Sequence, residues 1–208
     1  MSDSTRDPGD GRGGDDGQGG NGGRGGNDGP GASGPAAHGP ETDREQIAKL
    51  VDGELPWEEL RNDVLPDPKD PNRFQVTRAV LQERAAFDEP ILVPLSDHLY
   101  AVGRTDGSGE RLVKAECGHE LCSLGDNWKT ACRVRVRESA EEMGELYPES
   151  MGASEDWDFQ LREWLCPGCL AIVDVDAVPV GYPVYVPFEP DVDAFYEEWL
   201  EEVPPDRR

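Results

Sequence analysis

Lysine is scarce in this chain of 208 residues, which contains only Lys49, Lys69, Lys114 and Lys129. Asp and Glu number 44, and the formal net charge is −24. So few cations make phosphate backbones and anionic membrane surfaces poor partners, and we expect neither nucleic acid nor membrane binding. The acidity indicates either an ordinary solvated surface or adaptation to high salt, and the composition leaves both open.

The first forty residues lack the side chains that build a core. Residues 1–40 contain no Val, Ile, Leu, Phe, Tyr, Trp or Cys and hold 15 of the 25 glycines. Such a segment cannot bury enough apolar surface to offset its ordering entropy. We therefore predict a disordered Gly/Asp-rich tail over residues 1–41 and a single domain over residues 42–208. The tail also contains no lysine, which excludes a phosphate-binding P-loop there.

Long apolar runs are missing as well. No run approaches the roughly 18–20 residues of a membrane span. The N-terminus has no apolar stretch of the kind found in signal peptides. We therefore expect a cytoplasmic protein. In that compartment five cysteines, an odd number, favour metal ligands or free thiols over disulfides.

The sequence also lacks a recognisable catalytic constellation. It has no serine nucleophile elbow and no nucleotide-binding glycine loop. Paired carboxylates carry no information in so acidic a chain, and His98 is interpreted as a turn residue. We predict no catalytic residue and no cofactor-binding residue, so the chain reads as a subunit and not as a free-standing enzyme.

The patterning predicts an α+β fold that starts with a small helical region over residues 42–88. Thr42-x-x-Glu45 has the spacing of a capping box, and Gly53 is expected to end that first helix. Pro56 fits the first turn of a second helix. A third helix is predicted over about residues 72–86.

A mostly antiparallel β section is predicted over residues 90–178. Its strands are expected at 90–95, 99–103, 111–115, 133–137, 159–165 and 170–178. Residues 133–137 alternate Arg and Val, which is typical of a half-buried strand. A weak helix is predicted over residues 139–146.

The last part, residues 179–202, reads as a Pro-rich extended arm followed by a helix. Proline cannot donate to a central ladder, so the arm is an edge strand or an extended segment. The helix carries a large aromatic face. That face either packs on its own domain or docks onto another subunit, and the sequence leaves both open.

Cys166-Pro-Gly-Cys169 is the motif that carries the most chemical information. A thioredoxin-like redox pair needs its first cysteine at the start of a helix, where the helix dipole lowers the thiol pKa. Here the strand-forming residues 170–175 follow instead. A turn between two strands aims both thiolates at one point and is typical of half of a zinc-ribbon-like site.

The other half of the site is predicted in Cys117-Gly-His119-x-x-Cys122. Cys117, Cys166 and Cys169 are three expected ligands, and the fourth is His119 or Cys122. A RING finger needs eight ligands, more than this chain offers, so one site is the most it can fill. Four protein ligands make a closed structural Zn²⁺ site. Cys132 is interpreted as a buried thiol.

The residues also resemble a known family over most of residues 43–200. The stretches that carry the resemblance are Leu50–Glu58, Leu81–Arg84, Leu92–Tyr100, Val113–Glu120, Asn127–Lys129, Arg162–Cys169, Gly181–Pro183 and Pro190–Leu200. Their order and identity resemble the small gamma subunit of the acetone carboxylase and acetophenone carboxylase family. The tail lies outside the resemblance.

The resemblance implies a small structural subunit of an ATP-dependent ketone carboxylase complex. It implies hydantoinase-like large subunits, of alpha and beta type, as partners that hold ATP and a second metal, with a structural zinc in this chain. The family pattern has Cys-x-Cys-Gly-His, whereas Ala115 stands at its first position here, which leaves His119 and Cys122 as candidates for the fourth bond. The alternative is a free-standing zinc-ribbon interaction or regulatory protein.

Overall fold

The computed structural model describes residues 43–65, 70–146, 158–186 and 188–208. All of them belong to one compact unit, Pro40–Arg208. The α-helices are α1 (Arg44–Val51), α2 (Trp57–Glu59), α3 (Pro71–Arg84), α4 (Ala140–Gly144) and α5 (Val192–Ala194). The strands are β1 (Ile91–Ser96), β2 (Leu99–Gly103), β3 (Arg111–Ala115), β4 (Glu120–Ser123), β5 (Arg133–Arg137), β6 (Phe159–Leu165) and β7 (Ile172–Pro179). The predicted α+β class is thereby confirmed, and the tail of residues 1–41 lies outside the described part.

The helical region forms where it was predicted, with one correction at its first residue. Asp43, and not Thr42, caps α1, because its carboxylate accepts the backbone N–H of Glu45 at 2.9 Å. Thr42 itself lies outside the described residues. Helix α2 continues as a π-helical segment (Leu60–Val64). No helix in the described ranges is long and apolar enough to cross a membrane.

The first sheet is antiparallel with strand order β1-β2-β3-β4. Strand β2 is buried along its whole length because both faces of this sheet are covered. Tyr100 and Val102 pack with Leu81 of α3 on one side. Ala101 packs with Tyr196 of the C-terminal helix on the other. The short strand β4 was not predicted from the sequence.

The second sheet has the order β5-β6-β7, also antiparallel. The prediction that β5 is a half-buried strand is wrong, since four of its five residues are exposed, Val134 and Val136 by 47% and 37%. The buried residue is Arg137, which donates to the carboxylates of Glu163 (3.0 Å) and Glu145 (2.5 Å). Helix α4 lies over the arginine face of β5, and Val134 and Val136 lie on the opposite face.

The C-terminal helix packs on its own domain. Helix α5 continues as a π-helical segment (Phe195–Leu200), and the phenol of Tyr196, fully buried, donates to the carbonyl of Leu92 at 2.8 Å. Phe74 of α3 makes edge contacts with Phe195 and Trp199. The first of the two alternatives for this aromatic face is therefore the one observed. The Pro-rich segment after β7 is an extended arm without strand pairing in its described residues.

Candidate metal centre

The turn between β6 and β7 presents two thiols. The N–H of Cys166 donates to the carbonyl of Ala171, and the N–H of Leu170 donates to the carbonyl of Cys166, both at 2.9 Å. The N–H of Gly168 points at the Cys166 sulfur, 3.4 Å away. These bonds hold the turn closed and leave the sulfurs of Cys166 and Cys169 on one side of it.

The turn between β3 and β4 supplies the third thiol. Its backbone is closed by hydrogen bonds from Gly118 N–H to the Ala115 carbonyl (2.8 Å) and from Ala115 N–H to the His119 carbonyl (2.9 Å). Gly118 has a φ of +87°, a conformation that glycine adopts at no steric cost. The turn thereby projects Cys117 toward the β6–β7 turn.

The three sulfurs of Cys117, Cys166 and Cys169 lie within 4.8 Å of one another. Cys117 Sγ and Cys166 Sγ are 3.7 Å apart. Two thiolates bound to one tetrahedral Zn²⁺ at about 2.3 Å each would be about 3.8 Å apart. The observed distance of 3.7 Å between the two sulfurs is also far longer than the roughly 2.05 Å of a disulfide bond. The three sulfurs therefore fit three corners of a tetrahedral metal site.

In the absence of a metal, the thiol of Cys169 is more acidic than that of Cys117. The pKa of Cys169 is lowered, chiefly because the backbone N–H of Ala171 stabilises its thiolate. Desolvation in the β3–β4 turn raises the pKa of Cys117 to about 11. A bound metal would have to displace the proton from Cys117, so occupancy of this site is coupled to pH.

His119 and Cys122, the two candidates for the fourth ligand, lie outside the group of three sulfurs. The ring of His119 packs against the β6–β7 turn: a Cβ placed on Gly168 would lie 3.0–3.2 Å from three His119 side-chain atoms, including Nδ1. Glycine at 168 is what allows this approach. Cys122 lies on β4, and its sulfur is 4.0 Å from the carbonyl of Asp126. The identity of the fourth ligand stays a prediction.

Cys132 is not part of the group. Its thiol contacts the carbonyl of Trp128 at 3.5 Å, and burial raises its pKa to about 12. It packs against the apolar cluster that contains Cys166 and Trp164. It therefore behaves as a small apolar side chain beneath the site.

The redox interpretation of the Cys-Pro-Gly-Cys motif finds no support in the backbone. The motif forms a turn between two antiparallel strands, and Cys166 does not start a helix. The dipole that lowers the thiol pKa in thioredoxin-like pairs is therefore missing at Cys166.

Lys129 is a supporting residue that sequence reasoning missed. Its ammonium is fully buried and binds the carboxylates of Asp174 (2.8 Å) and Asp176 (2.7 Å) on β7. The rings of Trp128 and Trp164 lie 5.5 and 5.6 Å from it. Trp164 also donates its indole N–H to Asp176 at 2.8 Å.

This network around Lys129 fixes both strands of the hairpin that carries Cys166 and Cys169, because Trp164 lies on β6 and Asp176 lies on β7. A lysine directly after a tryptophan, in a chain with only four lysines, was the available signal.

Comparison with known proteins decides the family. The profile of the family described as "Acetone carboxylase gamma subunit" matches residues 85–200. The chain belongs to the acetone carboxylase gamma subunit family. One family relative is the acetone carboxylase gamma subunit of Xanthobacter autotrophicus (strain Py2), 41% identical over 157 residues, which cover 76% of this chain and 92% of the relative. The acetophenone carboxylase beta subunit of Aromatoleum aromaticum (strain EbN1) is 30% identical over 117 residues, covering 55% of this chain and 80% of that protein. The resemblance to the acetone carboxylase gamma subunit family is thereby confirmed, and the matched region contains all three clustered cysteines.

Proposed function

We propose that this protein is the small structural subunit of an ATP-dependent ketone carboxylase complex, in which it carries one structural zinc and supports the large catalytic subunits. Both relatives described above are named as subunits of carboxylases that act on a ketone. The observation that carries the proposal is the convergence of three thiols from two separate turns in a chain of this family.

Zinc is the metal that this donor set fits best. Three thiolates at tetrahedral spacing are soft ligands, which select zinc over the hard cations that prefer oxygen. A fourth protein ligand, His119 or Cys122, would close the site. A closed zinc site contributes folding free energy, since the metal joins the two turns that bring the ligands together.

The chemistry of the complex is assigned to its partners. We propose hydantoinase-like large subunits of alpha and beta type, which would bind ATP and a second metal and form the new carbon–carbon bond. Selectivity for one ketone would lie with them. We propose a cytoplasmic location for the assembly.

A native purification tests this proposal. The chain is tagged in its source organism and isolated without denaturant, and the copurifying chains are identified by mass spectrometry. We expect two larger hydantoinase-like chains in fixed ratio and ATP-dependent carboxylation of a ketone by the isolated complex. A chain that is isolated as a monomer from its native extract would contradict the proposal and favour a free-standing zinc-ribbon protein.

A further inference from the structure

The extended arm after β7 (residues 180–186 and 188–190) is held in place through its backbone. The guanidinium of Arg162 donates to the carbonyls of Tyr182 (2.5 Å) and Pro183 (3.5 Å). The side-chain amide of Asn127 donates to the carbonyl of Val184 at 3.1 Å. The arm is therefore ordered by polar side chains of the domain, although its own residues form no strand.

Several apolar side chains of this arm stay exposed, although the ring of Tyr185 also lies 6.0 Å from the buried ammonium of Lys129. Tyr182, Val184, Tyr185 and Phe188 are all 41–58% exposed. The ring of Tyr182 packs on that of Tyr185, with centroids 5.6 Å apart, which orders both rings without covering them. An ordered apolar segment that stays in water forgoes most of its hydrophobic stabilisation, which is typical of a surface that another chain covers.

Strand β5 extends the same surface. Val136 lies directly opposite Arg162 in the sheet, and Val134 lies opposite Trp164. Residues directly opposite in an antiparallel pair share one face, so both valines lie on the face that the arm crosses at Arg162. We call the resulting set the arm surface: Val134, Val136, Tyr182, Val184, Tyr185 and Phe188.

A cleft of about 200 Å³ opens at the end of the arm surface. Leu95, Leu124 and Val186 form its apolar lining, whereas Asp126 and Glu189 supply carboxylates. A carboxylate oxygen of Glu189 lies 3.5 Å from the position that a Cβ on Gly125 would take. Because Asp126 follows Gly125 in the chain, the two carboxylates lie near each other in the cleft. Among the described residues no cation pairs with either carboxylate.

We propose that the arm surface is where a large subunit of the carboxylase complex docks, with an apolar segment on the arm and one Lys or Arg side chain in the cleft. The aliphatic stem of that side chain contacts Leu95, Leu124 and Val186, and its cation sits at Asp126 and Glu189. This inference rests on the proposed function, because it names the contact through which the subunit joins its complex.

Charge selects this occupant over a second copy of the chain. The cleft offers two carboxylates without a cation, and the whole chain has a net charge of −24. A second copy would bring the same acidic groups to the contact, and like charges facing each other across an interface are repulsive. A partner that carries an exposed Lys or Arg next to apolar side chains matches both features.

Binding measurements on the full chain test the apolar part. The double variant Val184→Asp with Phe188→Asp is compared with the control Val203→Asp, whose side chain is 52% exposed outside the arm surface. The binding partner is the purified pair of hydantoinase-like large chains. We expect the double variant to raise Kd at least about tenfold and the control to leave it unchanged. Zinc content and Tm should match wild type in both. If Asp at these positions impairs folding, Val184→Ser with Phe188→Ser makes the same test.

A second pair of changes tests the cleft. Asp126→Asn with Glu189→Gln should slow association with the large chains and flatten its dependence on salt concentration. An unchanged Kd in both double variants would overturn the docking site while leaving the proposed function intact. Failure of the wild-type chain to bind the large chains would instead remove the proposed function together with the docking site. A wild-type homodimer that Val184→Asp with Phe188→Asp dissociates would also overturn the docking site.

Discussion

The sulfur of Cys117 lies 3.7 Å from the sulfur of Cys166, although 49 positions separate the two residues in the chain. One belongs to the β3–β4 turn of the first sheet and the other follows β6 of the second sheet. The candidate metal centre therefore joins the two sheets of the domain. Removing a metal from it should loosen the contact between the sheets and expose the cluster around Trp164 and Val173.

Replacing Cys166 tests the role of the cluster in folding. Cys166→Ala should abolish stoichiometric metal and lower the free energy of unfolding by about 3 kcal/mol or more, because metal-binding energy is folding energy in such sites. Cys132→Ala is the matched control, since Cys132 packs beneath the site without joining the sulfur group. It should keep its metal and lose only about 1 kcal/mol. Metal analysis and urea unfolding measure both; full metal in Cys166→Ala would contradict the assignment.

The fourth ligand can be assigned by a pair of variants. We expect His119→Ala to weaken metal binding more than Cys122→Ala, because the His119 ring packs on Gly168 of the metal-binding turn. Competition with a coloured chelator measures the two affinities. Near-complete loss in Cys122→Ala with retention in His119→Ala would identify the cysteine instead.

Lys129 should be essential for stability. Lys129→Met leaves the carboxylates of Asp174 and Asp176 without their buried cation, which should cost about 3–5 kcal/mol. Lys49→Met removes an exposed lysine that pairs with Glu45 on α1 and should change the urea midpoint little. Equal midpoints for the two variants would show that the buried network does not support the hairpin.

Acid sensitivity should depend in part on Asp193. The pKa of Asp193 is lowered, chiefly by the hydrogen bond from Arg111, with Arg207 adding to the effect. Stability from this interaction is present above the unfolded pKa of about 3.9 and is lost as the pH falls through the lower folded pKa. Asp193→Asn should therefore cost about 0.5–1 kcal/mol at neutral pH, a value discounted for the partial exposure of Asp193, and progressively less as the pH falls below the unfolded pKa. A constant difference from pH 7 to pH 2 would be inconsistent with this linkage.

Leu170 occupies a left-handed backbone conformation, with a φ of +65°. This conformation is unfavourable for a residue with a Cβ, and the side chain is more than half exposed, so little burial offsets the cost. Leu170→Gly should raise the free energy of unfolding by about 0.5 kcal/mol, after the greater unfolded-state entropy of glycine is counted. Denaturant unfolding of the metal-loaded protein checks this, and a clear loss of stability would show that the Leu170 side chain makes a contact of its own.

Much of the fold was predictable because its signals are local. Alternation, turn residues and helix breakers placed β2, β3, β5 and β6 at their observed bounds. The burial of β5 was not predictable, because an Arg/Val alternation does not tell which face meets another layer. The cap at Asp43 was missed because Thr42 offered the same chemistry one residue earlier.

The candidate site, like the fold, was predictable from the sequence only in part. The spacing of Cys166 and Cys169 and the strand after them predicted the metal-binding turn. Cys117 joins them through the packing of the two sheets, which the sequence suggested only through a second half-motif. The roles of Lys129, Asp174 and Asp176 depend on a 3₁₀ turn (Trp128–Ala131) lying against β7, and no local pattern encodes that contact.

X-ray absorption at the zinc edge of the natively purified complex tests the central claim most directly. Elemental analysis of the same sample gives the number of metal ions per chain. We predict about one structural zinc for each copy of this chain, with at least three sulfur neighbours at about 2.3 Å and a fourth light-atom or sulfur ligand. No zinc assignable to this chain, or a coordination shell made only of oxygen and nitrogen, would contradict the account.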